Sequence, residues 1–231
     1  MATSNNQLTI SNSLSQGWQY TKNNYSVLIL CFLVLAGIST AFSIFRSIPG
    51  VVTSIAGESY SEGLAIFIVF VFLFSPLLFV AETALQNLTA IGFTKIQLNI
   101  LDSKKTRVSD LFNTNGVFWQ YLATSILVGL IVIGGLLLLI VPGIIWLLKY
   151  QFAMPLVVDK KLDITESIRK SGEITQGHKG WLFGFAIVLG LVNIAGALLL
   201  LVGLLVTIPL TTMAYIYVYR QLSSSVKASK N

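Results

Sequence analysis

The chain has 231 residues, 55% of them hydrophobic and 10% charged, with a formal net charge of +6. Soluble domains carry roughly a quarter charged residues, so a water-soluble globule is excluded. The single cysteine, Cys31, excludes an intramolecular disulfide and no metal-ligand spacing accompanies it; the basic residues fall between apolar runs and not on one patch, which excludes nucleic acid as a partner.

The first 23 residues, MATSNNQLTISNSLSQGWQYTKN, are polar. No basic segment leads into a short apolar core, so no cleaved signal peptide is expected and the first span stays in the mature protein. Within residues 1–23, Ile10, Leu14 and Trp18 share a helical face, which predicts a cytoplasmic amphipathic segment. The first apolar run predicts a span over about 25–45 and the second one over about 64–84. Beyond it Glu82, Gln86, Asn87 and Lys95 recur among apolar residues. The stretch to Ile100 reads as the same helix leaving the bilayer as an amphipathic extension.

Phe118 to Val158 is 41 residues. As one helix it would be about 61 Å long at ~1.5 Å per residue, twice the ~30 Å hydrocarbon core. The chain must fold back. Pro142-Gly143 is the natural place, because proline cannot donate to a continuing helix and suits the first turn of a new one. Spans over about 118–141 and 143–158 follow. Trp181 to Gln221 is equally long and turns near Gly203, giving spans over about 181–201 and 203–221. The expectation is an all-α polytopic membrane protein, a single domain with six transmembrane helices in three hairpins.

Charge orients it. Lys22, then Lys95, Lys104, Lys105 and Arg107, then Lys160, Lys161, Arg169, Lys170 and Lys179, and finally Arg220, Lys227 and Lys230 all fall on one side, while Arg46, Glu58 and Glu62 fall on the other. By the positive-inside rule both termini are cytoplasmic. Each hairpin is preceded on that side by a polar-apolar segment rich in aromatics: SNSLSQGWQYTKNNY, VSDLFNTNGVFWQY and ITESIRKSGEITQGHKGWLF. These are read as interfacial helices with Trp and Tyr at headgroup depth. Gly180 and Gly184 have the small-xxx-small spacing that permits close helix approach, with Gly129, Gly134, Gly135, Gly190 and Gly196 as further candidates. Pro76, Pro155 and Pro209 interrupt spans and are expected to kink them.

The candidate intramembrane polar site is Lys149, Gln151, Asn193, Thr207 and Glu82. A lysine at mid-bilayer costs roughly 2.5–3.5 kcal/mol, which the apolar residues of span four nearly cancel at about 0.3–0.6 kcal/mol each. Snorkelling to the outer headgroups or pairing inside the bundle is the preferred reading of Lys149 over a polar cavity or anion path. A direct pair with Glu82 is not expected, because Glu82 lies about 27 Å from the outer start of its span and Lys149 about 9 Å from that of its own. His178, Lys179 and Trp181 are candidate headgroup contacts. His178 is the one histidine, no catalytic motif is present, and no enzyme activity, metal or cofactor is implied. Asp159, Asp163, Glu166 and Glu173 beside Lys160, Lys161, Arg169 and Lys170 read as a solvated mixed-charge helix.

VPGIIWLLKYQFAMPLVVD, followed by SIRKSGEITQGHKGWLF and IPLTTMAYIYVY, resembles a bacterial family of integral membrane proteins known as a domain of unknown function. The matching positions are Pro142, Gly143, Ile144, Tyr150, Pro155, Asp159, Ser171, Gly177, His178, Lys179, Phe183 and Pro209, within roughly Leu85 to Leu222. The membrane domain of some glycerophosphodiester phosphodiesterases shares the Pro…Asp…Ser…Gly order. The resemblance implies a six-span bacterial membrane protein and brings no catalytic residue. The leading functional expectation is a non-enzymatic bundle in the bacterial cytoplasmic (inner) membrane. Its partners are membrane lipids and another membrane protein or a second copy of itself. The alternative is a small transporter or channel with a polar cavity around Lys149, Gln151, Asn193 and Thr207.

Overall fold

The computed structural model describes residues 8–56, 62–114, 116–199 and 202–228. Glu58 and Lys230, two residues that orient the chain, and residues 200 and 201 of the fifth predicted span lie outside the described residues. The described elements are all helical: α1 (Ile10–Asn23), α2 (Tyr25–Ala56), α3 (Glu62–Leu101), a 3-10 turn (Val108–Phe112), α4 (Phe118–Leu138), α5 (Ile140–Tyr150), α6 (Ala153–Lys160), α7 (Ile164–Thr175), α8 (Lys179–Leu198) and α9 (Leu204–Ala228).

Five stretches are long and apolar enough to cross a membrane: Tyr25–Ser54, Ala65–Leu101, Phe118–Leu138, Ile140–Lys160 and Lys179–Leu198. These helices mark a membrane protein. The sixth predicted span falls in α9, which is not among the five. Thr207, Thr211, Thr212, Tyr215, Tyr217, Tyr219 and Arg220 make α9 more polar than its neighbours. Its surroundings explain the tolerance. Met213, Ala214, Ile216, Val218 and Tyr219 are at most 2% exposed, so protein replaces lipid around this helix. Two of its threonine hydroxyls are absorbed locally, Thr211 donating to the Thr207 carbonyl at 2.8 Å and Thr212 to the Ile208 carbonyl at 2.9 Å.

Two apolar clusters meet on α9. One joins it to Leu148, Phe152 and Leu156 of the fourth span and to Leu182 and Phe185 of α8. The other joins Met213 to Leu28 and Cys31 of α2 and Ile96 and Ile100 of α3. As expected, α3 runs without interruption from the exposed Ile66 to the buried Ile100, and it passes through Pro76.

α1 starts at Thr9, whose hydroxyl accepts from the Asn12 N–H at 3.3 Å. The helix packs on α9, and protein covers its buried strip. Ser13, Gly17 and Thr21, one turn apart, are the buried residues, while Trp18 is 46% exposed. A Cβ on Gly17 would lie 2.8 Å from that of Ala214. Small residues bring the two backbones together, and the larger Ile10 and Leu14 flank the contact. The glycines expected to do this elsewhere divide. Gly180, Gly129, Gly134 and Gly190 face open space, and Gly184 meets Ile10 alone, at 4.0 Å. Gly135 packs on Gly143, and Gly196 packs on Thr207 and Gly203.

The chain reverses between α4 and α5 at Leu139, which is extended at φ −163° and ψ 149°. Pro142 is the third residue of α5. The displacement from the expected Pro142-Gly143 turn has a simple cause. A helix leaves its first N–H groups unpaired, so proline fits anywhere in the first turn. Gly143 serves the packing of α4 on α5: a Cβ on Gly135 would sit 2.9 Å from its Cα.

Candidate functional site

The fourth span is broken between Tyr150 and Ala153. Pro155 is the cause. It has no N–H to offer the Gln151 carbonyl four residues earlier, and its ring crowds that oxygen. Each freed backbone group finds a partner. The Tyr215 hydroxyl donates to the Gln151 carbonyl at 2.6 Å. Ser171 and Thr175 of α7 donate to the Lys149 carbonyl at 2.9 and 3.2 Å. The Phe152 N–H donates to the Ser171 hydroxyl at 3.2 Å. The Gln151 side-chain amide donates to the Leu148 carbonyl at 3.0 Å. A broken helix at membrane depth persists where protein supplies such partners. Ser167, Ser171 and Thr175 are fully buried, so α7 turns its hydroxyl strip to the break.

Lys149 lies at this break. Its stem runs over Gly172, where a Cβ would be 3.0 Å from the lysine Cε, and its ammonium sits 5.0 Å from the centre of the Tyr150 ring. Lys149 and Tyr150 line two recesses. One, of about 800 Å³, is an apolar groove along α4 and α5, walled by Leu130, Ile131, Gly134 and Trp146. The other, of about 630 Å³, lies against α7 and the start of α8 and is lined by Arg169, Glu173, Gln176 and Lys179. Arg169 and Glu173 form an i,i+4 ion pair. The lysine therefore stands where an oily groove meets a cationic recess.

The other predicted polar residues lie elsewhere. The Gln151 side chain is used on the helix break itself. Asn193 and Thr211 hydrogen-bond across α8 and α9 at 3.2 Å. Thr207 packs on Gly196, its hydroxyl buried with no hydrogen-bond partner among the described residues. Glu82 pairs with Arg46 of α2 at 3.5 Å and accepts from the Gln86 amide at 3.0 Å. Neither recess at Lys149 is lined by Gln151, Asn193, Thr207 or Glu82. Of the candidate headgroup contacts, Lys179 lines the cationic recess and His178 is exposed, its Nδ1 3.1 Å from the Gln176 carbonyl. Trp181 stacks on Phe185 at 5.2 Å and packs against the main apolar cluster.

A second polar centre is less visible in the sequence. The Asp159 side chain, 12% exposed, accepts from the Tyr219 hydroxyl at 2.8 Å and from Arg220 at 3.1 Å. Arg220 also reaches Asp102 at 2.9 Å, and Lys160 lies 3.5 Å from Asp159. The cluster ties α6 and α9 to the end of α3. Asp159 reads as one member of a charged run; its partners lie 60 and 61 residues away. The adjacent Tyr219 and Arg220, at the end of an otherwise apolar helix, are the signal that points to it.

Among curated proteins, an uncharacterised protein of Mycobacterium bovis and one of Mycobacterium tuberculosis match the chain. Each is 28% identical over 168 residues, which is 71% of this chain and 47% of the relative. A counterpart from another M. tuberculosis strain is 27% identical over the same share. The chain thus spans about half the length of the curated relatives it matches. No family model matches it, and no solved structure does. The comparisons and the apolar helices together describe a helical membrane protein similar to uncharacterised mycobacterial proteins.

Proposed function

We propose that this protein is a non-enzymatic, lipid-binding bundle of the bacterial inner membrane. The observation that carries this reading is the meeting of an apolar groove with a cationic recess at Lys149 and Tyr150. A phospholipid has the same two-part chemistry, a hydrocarbon tail and a charged head. Six crossings then form three hairpins, with α7 and both termini toward the cytoplasm, where the excess of Lys and Arg belongs. Lys149 then points to the inner leaflet.

Lipid retention tests it. The full chain, purified in mild detergent, is expected to carry phospholipid that Gly134→Leu reduces. Gly134 lines the groove and has open space where a side chain would go. Retention unchanged by this variant, or no retained lipid at all, would sink the reading.

The break in the fourth span favours a second reading, a small transporter, because substrate sites often form at discontinuous helices. Here the broken backbone is already satisfied by Ser171, Thr175 and Tyr215, which leaves it little capacity for an ion. Anion flux through reconstituted protein that Lys149→Ala abolishes would establish this second reading; no flux in either form would retire it.

A further inference from the structure

The charge and hydrogen-bonding inventory of the recess narrows the lipid class, and this step rests on the lipid-binding reading. Lys149, Arg169 and Lys179 face one carboxylate, Glu173, which Arg169 already engages. The lining carries an excess of two positive charges, complementary to an anionic phosphodiester. The Lys149 ammonium lies over one face of Tyr150, 5.0 Å from the ring centre, so a quaternary amine meets a like charge on that face. Any headgroup amine would enter among three cations. Thr165 and Gln176 add neutral donors and acceptors to the same wall, which suits headgroup hydroxyls. Gly172 matters here too, because its missing side chain makes the room through which Lys149 reaches the recess.

We infer that the site selects anionic phospholipids whose headgroup bears hydroxyls and no amine, the phosphatidylglycerol type, over zwitterionic amine-bearing phospholipids. The tails lie in the groove between α4 and α5, and the phosphodiester lies between Lys149 and Lys179.

The test uses the full chain in nanodiscs made of equal parts phosphatidylglycerol and phosphatidylethanolamine with identical acyl chains. Lipids that remain bound are counted by native mass spectrometry. Phosphatidylglycerol is expected to be retained roughly fivefold over phosphatidylethanolamine for each cation it engages. Lys149→Met and Lys179→Gln should each cut that preference. The second variant lies at the start of α8 and covers the case in which the first fails to fold. Gly134→Leu should lower retention of both lipids. Equal retention of the two lipids, with both reduced by Gly134→Leu, overturns the headgroup inference and leaves the lipid reading intact. Retention unaffected by Gly134→Leu removes both. Displacement of the bound lipid by millimolar glycerol phosphate would also overturn the inference, because a soluble anion would then suffice.

Discussion

The arm formed by the end of α2 and the start of α3 and the bundle around α9 end in opposite surroundings. Along α3, Ile66, Phe72, Leu73 and Leu77 are more than 60% exposed, as suits a lipid-facing surface. On α9, Met213, Ala214, Val218 and Tyr219 are wholly buried in protein. For a single leucine or valine, hydrophobicity cannot tell these cases apart, because lipid tails are as apolar as leucine. Small and polar residues can. Protein-facing helices carry glycine at backbone contacts and hydroxyls that reach a neighbouring helix, as Ser171 and Tyr215 do at the break, whereas Ser47, Thr53, Ser54 and Ser75 on the arm donate to carbonyls of their own helix. Gly50 and Gly63 there meet nothing within 4 Å. The exception on the arm, Arg46 with Glu82, is a pair whose two members satisfy each other.

This contrast can be broken experimentally. The largest effect is expected from Gly92→Ala. A Cβ at Gly92 would overlap the backbone carbonyl of Leu111, and neither backbone can yield cheaply. Overpacking of this kind costs about 3 kcal/mol, read as a lower apparent melting temperature of the detergent-solubilised protein. A variant as stable as the parent would mean that the 3-10 turn does not pack on α3. Asp159→Asn comes next, at about 2 kcal/mol, because it leaves Arg220 and Tyr219 facing an uncharged amide in a largely buried site. Asp159→Ala should be at least as damaging.

The break in the fourth span offers a sharper, smaller test. Tyr215→Phe orphans the Gln151 carbonyl and should cost about 1–2 kcal/mol. In a Pro155→Ala background that cost should shrink, because the new backbone N–H can serve the same oxygen. Equal costs in both backgrounds would show that Pro155 is not what frees the carbonyl. At the small end, Gly37→Ala lies in α2 with open space around it and should stabilise by about 0.5–1 kcal/mol through helix propensity. A loss there would mean that the arm is packed against something.

The sequence reads well where a requirement is one-dimensional. Length against bilayer thickness finds the five stretches that are long and apolar enough to cross a membrane, and the polar recurrence after Glu82 correctly keeps the chain helical to the end of α3. Glycine roles were less legible. Gly180 and Gly184 satisfy a spacing and touch almost nothing, Gly135 and Gly196 do make close contacts, and Gly17 and Gly92 make close backbone contacts without belonging to a glycine repeat. Spacing describes one helix, and close approach needs two.

The apolar runs, the prolines and the scatter of basic residues by themselves determine that this chain is helical and resides in a membrane, because the absence of water inside a bilayer forces backbone groups to pair within each span. What surrounds each helix was decided by the tertiary structure alone. Pro155 announces a break, but that Ser171, Thr175 and Tyr215 fill it follows from where α7 and α9 pack. The same packing brings Lys149 to the edge of a recess with Arg169 and Lys179 and sends Asn193, Thr207 and Glu82 elsewhere. Residues distant along the chain become one site only through the arrangement of helices, and no local pattern encodes it.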